Sequence, residues 1–194
     1  MSTAPDHQQL YEIAEEQAGY FTAGQARRAG FGHSLLTYHV QSGRFLRTHR
    51  GVYRLTQFPG SPHEDLFVAW LRAGPDAVIS HQSALVLFEL SDVLPAATHV
   101  IVPRTASRRR RGLRQHTNRL APSDITRRNG LPVTTPARTI ADVMASGVSE
   151  ELIGQAVEEA LARGLTTREE LLAHAERRGG RVRDVIERLM AEPS

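Results

Sequence analysis

The sequence predicts an α+β protein in two parts. Three observations carry this expectation. Within the first 55 residues, helical periods lead into two short alternating runs closed by a glycine turn. Gln57-Phe58-Pro59-Gly60-Ser61-Pro62 then breaks any regular element. Beyond it, short apolar runs mix with amphipathic periods as far as Pro136, after which the pattern is helical throughout. The expected parts are therefore residues 1–58 and 59–194.

A first helix is expected from Pro5 to Ala18, with Asp6 as N-cap and Gly19 as the stop. Leu10, Ile13, Ala14 and Gln17 recur at helical spacing on one face, opposite Glu12, Glu15 and Glu16. Thr22 with Gln25 makes a capping box for a short second helix. After the Gly30-Phe31-Gly32 turn, a third helix runs from about Ser34 to Ser42. Phe45-Leu46-Arg47 and Val52-Tyr53-Arg54-Leu55 flank a turn ending in Gly51 and read as a β-hairpin. Helix, helix, turn, helix and hairpin in about 50 residues is the order of a winged helix-turn-helix.

In the second part, His63–Ala73 reads as an amphipathic helix and Ala77–Ser80 as a buried strand. A helix from His81 to Leu90 follows, with His81 taken as its cap. Strands are expected near His99–Pro103, Leu113–Thr117, Asp124–Arg127 and Gly130–Thr134. Thr135 caps a helix with Pro136 at its first position. Ser149 opens another, and Thr167 with Glu170 forms a capping box for the next. Gly179-Gly180 separates a last helix through Val182, Val185, Ile186 and Leu189.

Composition narrows the chemistry. The 194 residues are 40% hydrophobic and 23% charged, as in ordinary globular proteins. There is no membrane-length apolar run and no secretory leader, so a cytoplasmic protein is expected. No cysteine is present, which removes disulfides, thiolate zinc sites and cysteine nucleophiles. All 24 basic residues are arginine, which excludes a P-loop lysine, a Schiff-base lysine and lysine-dependent nuclease sites. Charge is segregated. Residues 101–140 carry ten arginines against one acid, while residues 61–100 carry one arginine against five acids. Such separation suggests distinct faces for distinct partners, at least one of them polyanionic.

The third helix and the hairpin have the character of a DNA-reading pair. Ser34, Thr37, Tyr38 and Gln41 fall opposite the inward-facing Leu36 and Val40, and such short or planar polar groups suit base edges in a major groove. Arg47, His49, Arg50 and Arg54 in the hairpin, with Arg28 and Arg44 nearby, suit the flanking phosphates. No acid interrupts Gly43–Leu55. A protein-docking role for the same domain remains open at this point.

Other features point less sharply. Arg108, Arg109, Arg110 and Arg111 fit a solvated loop, a phosphate contact or a protein contact. Arg138 and Asp142, four apart, are expected to form a salt bridge on one helix face. The nine histidines show no metal-ligand spacing on any predicted helix, and no cofactor or metal is expected. No serine sits in a nucleophile elbow, and the paired carboxylates lie on solvated helix faces. No enzymatic activity is expected.

The segment Gly43–Tyr53 resembles the N-terminal winged helix of AbiEi-family antitoxins. Ile79–Leu85 and Leu131–Asp142 resemble segments of that family's C-terminal domain, so the likeness spans roughly residues 8 to 190. The resemblance implies an antitoxin of a type IV toxin-antitoxin system, active in abortive infection and phage defence. It implies repression of its own operon through an inverted-repeat operator, and opposition to a nucleotidyltransferase-like toxin through the C-terminal domain. The DNA contacts it implies are Ser34, Thr37, Tyr38, Gln41, Arg47 and Arg50. Where many relatives have a basic recognition helix, this one presents Thr37, Tyr38, His39 and Gln41. The alternatives are a stand-alone transcriptional regulator with a ligand-binding or dimerising C-terminal domain, and a nuclease-related protein.

Overall fold

The computed structural model describes residues 4–104 and 110–191, apart from the side chains of Arg181 and Ala191. The chain forms two compact units, Met1–Ala77 with Asn129–Leu131, and Val78–Arg128 with Pro132–Ser194. The protein is mixed α and β, as its patterning predicts.

The first unit holds α1 (His7–Glu15), β1 (Tyr20–Thr22), α2 (Ala23–Arg28), α3 (His33–Gln41), β2 (Phe45–His49), β3 (Val52–Leu55) and α4 (Glu64–Ala73). The Asp6 carboxylate accepts from the Gln9 amide at 2.9 Å and starts α1. Both halves of the Thr22–Gln25 capping box form, at 3.1 and 2.7 Å. Leu10, Ala14, Phe21, Phe31, Leu36, Phe45 and Leu55 make one core. Each large side chain buried there contributes roughly 1.5–3 kcal/mol of hydrophobic stabilisation.

Two features depart from the expected pattern. Helix α1 stops at Glu15 rather than Ala18, because the chain must reverse: Ala18 and Gly19 take φ of +54° and +89°. Gln17 is still buried, but as a linchpin rather than a helix face, since its Nε2 donates to the Tyr20 carbonyl at 2.9 Å. The reversal creates β1, a strand too short for sequence alternation to reveal. It pairs antiparallel with β3, giving a three-stranded sheet of order β1-β3-β2 with β3 in the middle.

Residue 58, the expected end of the first part, lies inside this unit. Helix α4 belongs to it because Tyr20 stacks on Phe67 with centroids 5.2 Å apart. The Tyr20 hydroxyl also donates to Glu64 at 2.8 Å.

The second unit contains β4 (Val78–Ile79), α5 (His81–Phe88), β5 (Thr98–Ile101), β6 (Leu113–His116), β7 (Ile125–Arg128), all but the first residue of β8 (Leu131–Thr134), α6 (Pro136–Ala145), α7 (Glu150–Ala162), α8 (Arg168–Arg178) and α9 (Gly180–Ala191). Its mixed sheet has the order β6-β5-β4-β8-β7. Strand β4 runs antiparallel to β5 and parallel to β8, and β5 runs parallel to β6. Helix α6 packs against α5, α7 and α8, and nine of its ten residues are buried. Thr135 and Ser149 cap α6 and α7, and the Thr167–Glu170 box opens α8 as expected. At α5 the cap is Ser80, not His81. His81 is the first helical residue and takes a φ of +51°.

Candidate nucleic-acid interface

Helix α3 packs on β2 through Leu36, which is buried. That contact fixes which side of the helix meets water. His33, Ser34, Thr37, Tyr38 and Gln41 form one exposed face, and Tyr38 is 58% exposed despite its size. Its ring meets His39 edge-on at 5.4 Å, and the rest of this large aromatic stands open on a polar face, where it suits stacking or groove contact with a partner. The Thr37 hydroxyl donates back to the His33 carbonyl at 3.0 Å, and its lone pairs stay available outward.

The hairpin β2–β3 is the wing. Arg47 and His49 on β2 and Arg50 in the turn are exposed, as are Arg44 at its base and Arg28 at the end of α2. The register slips between Arg47 and His49. This irregularity re-aims the side chains near the tip, and Gly51 closes the turn at φ +78°. Nine of the ten expected DNA-facing residues are thus solvent-exposed.

Arg54 is the exception. It lies in the central strand, its Nη1 donates to the Phe58 carbonyl at 3.0 Å, and its guanidinium covers the Tyr20 ring at 5.8 Å. Its charge ties the wing to the body of the unit and does not join the exposed set. His39, counted with the outward residues of the helix, also turns inward. It is 3% exposed and wedged between Phe31 and Phe45, with ring centroids at 5.6 and 4.7 Å. The periodicity held the clue, since residue 39 lies three beyond Leu36 on the same helix face.

Burial, with smaller contributions from His7 and Arg44, pushes the His39 imidazole below its usual range. The unfolded chain protonates that ring below about pH 6.5 while the folded one resists. The resulting stability is present above that pH and is lost as pH falls through the folded value. The urea midpoint reported by Trp70 emission should therefore drop on acidification from about pH 7 to about pH 5. His39→Leu should flatten that drop; an unaltered pH profile in the variant would refute the assignment.

In the second unit, the expected Arg138–Asp142 pair forms at 2.9 Å. Arg138 also reaches Asp124 at 2.8 Å and the Arg119 carbonyl at 3.2 Å. Arg178 pairs with the other oxygen of Asp142. Asn118, Arg119, His174, Arg177 and Arg178 line a cleft over this network. Arg108 and Arg109 lie outside the described residues. Arg110 is half-buried and Arg111 exposed just before β6.

Family models match both parts of the chain. Residues 8–56 match the model described as a transcriptional regulator, AbiEi antitoxin. Residues 77–192, more than half the chain, match the AbiEi antitoxin C-terminal domain. The chain belongs to the AbiEi antitoxin family. The first AbiEi match ends with the wing, and the second begins where the first compact unit closes. Among solved structures, the chain is similar to the Rv2827c protein of Mycobacterium tuberculosis, with a TM-score of 0.55 and 15% identity. That likeness covers 93% of this chain and 74% of the other, and it describes the fold. No curated protein matches the chain. Among the described residues no helix is long and apolar enough to cross a membrane.

Proposed function

We propose that this AbiEi-family chain is the antitoxin of a type IV toxin-antitoxin system and represses its own operon. The first unit binds an inverted-repeat operator upstream of its gene, with α3 in the major groove and the wing along the phosphates. The second unit counters a nucleotidyltransferase-like toxin. The observation that carries the reading is the pairing, in one compact unit, of an exposed polar helix face with an acid-free arginine wing. Hydrogen-bonding side chains on α3 supply base discrimination, each good contact worth about 1–3 kcal/mol. The arginines supply salt-dependent affinity without reading sequence.

Footprinting upstream of the gene tests the first half, and co-expression with an adjacent nucleotidyltransferase-like gene tests the second. Tyr38→Ala with Gln41→Ala should release the promoter and weaken operator binding at least about tenfold. The same variant should still rescue cells from the toxin. Loss of both functions at once would show that the two activities do not divide between the units.

A further inference from the structure

Three histidines from three separate elements meet in the second unit. His81 begins α5, His99 lies on β5 and His116 ends β6. Strands β5 and β6 are parallel with Ile101 opposite His116, so two-residue alternation puts His99 and His116 on the same face. Helix α5 packs against β5 and brings His81 to them. One nitrogen from each ring lies within 4.8 Å of the other two.

We propose that His81, His99 and His116 form a binding site for one divalent first-row transition-metal ion of the zinc type. The chemistry of the donors fits. Three imidazoles without thiolate or a cluster carboxylate favour zinc, copper or nickel over magnesium or calcium. His99 Nδ1 and His116 Nε2 stand 3.3 Å apart. Two nitrogens at about 2.0–2.1 Å from a tetrahedral zinc are separated by about that distance.

The surroundings also resemble a ligand shell. Ser80 Oγ contacts His81 Nδ1 at 3.0 Å, which occupies that nitrogen and leaves Nε2 to face an ion. Ser83 Oγ accepts from the His99 backbone amide at 2.9 Å and holds β5 against α5. His81 and His99 are buried, so water competes little for their ring nitrogens. His81 holds its place in the left-handed region, where a non-glycine residue loses about 1–2 kcal/mol.

One movement is required. His116 stacks on His81 with centroids 3.6 Å apart and planes 11° from parallel, so their nitrogens do not yet converge. His116 is half-buried on the edge strand β6, and a histidine χ2 rotates in a broad well. Turning it gives up the stack on His81 and exchanges the direct contact with His99 Nδ1 for an ion shared between the two nitrogens. Arg114, exposed on the same strand, and Arg138 and Arg178 on the His81 side oppose added positive charge, and an anionic fourth donor such as hydroxide or a carboxylate offsets it.

The test uses the full chain stripped by chelator and titrated calorimetrically with zinc chloride. One-to-one saturable binding is expected, together with the visible absorption of a tetrahedral site when cobalt(II) replaces zinc. His116→Gln should weaken zinc at least about tenfold, and His7→Ala should leave it unchanged. Ring-nitrogen NMR of the unmutated protein provides a second readout that does not depend on any variant folding. Zinc should move the resonances of three of the nine histidines. Absence of binding, retained affinity in His116→Gln, or shifts at other rings would each overturn the site.

Discussion

Arg138→Ala is expected to destabilise the second unit by about 3–5 kcal/mol, the largest effect of any single substitution considered. Arg138 is 8% exposed, and its two carboxylate partners, Asp124 and Asp142, are 5% and 1% exposed. Removing the guanidinium leaves Asp124 facing only the His174 imidazole at 3.9 Å, a ring that burial pushes below its usual pKa and so toward the neutral form. The Arg119 carbonyl loses a donor at the same time. A stranded buried charge costs more than the pair ever contributed in net terms. The loss therefore measures the stranding and not the worth of the bridge. Adding Asp124→Asn to Arg138→Met should recover part of the stability, because Asp142 keeps Arg178. Urea unfolding followed by far-ultraviolet circular dichroism gives the measurement. A loss under about 1 kcal/mol would mean that water reaches the carboxylates and the network is not dry.

The second large effect concerns the wing. Replacing both Arg47 and Arg50 with alanine should reduce the slope of log affinity against log salt by about two units, near 0.9 for each phosphate released. Affinity at low salt should fall for operator and unrelated DNA alike, since neither residue is asked to read bases. Arg54→Ala offers the contrast. Its guanidinium is spent on the Phe58 carbonyl and the Tyr20 ring, so that change should lower stability while leaving the salt slope intact. Gel shifts at several salt concentrations separate the outcomes. Equal slopes for the double variant and the parent protein would remove the wing from the interface.

Much of this architecture was readable residue by residue. Asp6, Thr22 with Gln25, Ser149, and Thr167 with Glu170 announce helix starts through local hydrogen bonds, and those are encoded within four residues. The Arg138–Asp142 pair was legible for the same reason. What escaped was decided by distant chain. Asp124 joins Arg138 from fourteen residues away, and nothing near either residue signals it. The three histidines are separated by 18 and 17 positions and meet only through strand pairing, so a search for ligand spacing on one helix could not find them. At His39 and Arg54 polarity does not mean exposure. An aromatic nest accepts a neutral imidazole, and a carbonyl with a tyrosine ring accepts a guanidinium.

Strand β3 has a hydrogen-bonded neighbour on each side, β1 and β2, and in the wing's turn the Gly51 carbonyl accepts from the Ala23 amide at 2.9 Å. The clamp thus reaches Gly51, and the exposed Arg50 side chain projects beyond it. Substitutions at Arg50 would leave the clamped portion undisturbed, whereas a single added residue at Tyr53 would slip the register and turn Val52 outward. On the proposed reading, reach into a neighbouring groove can then drift between lineages by trading the residue at position 50, with the scaffold beneath held constant.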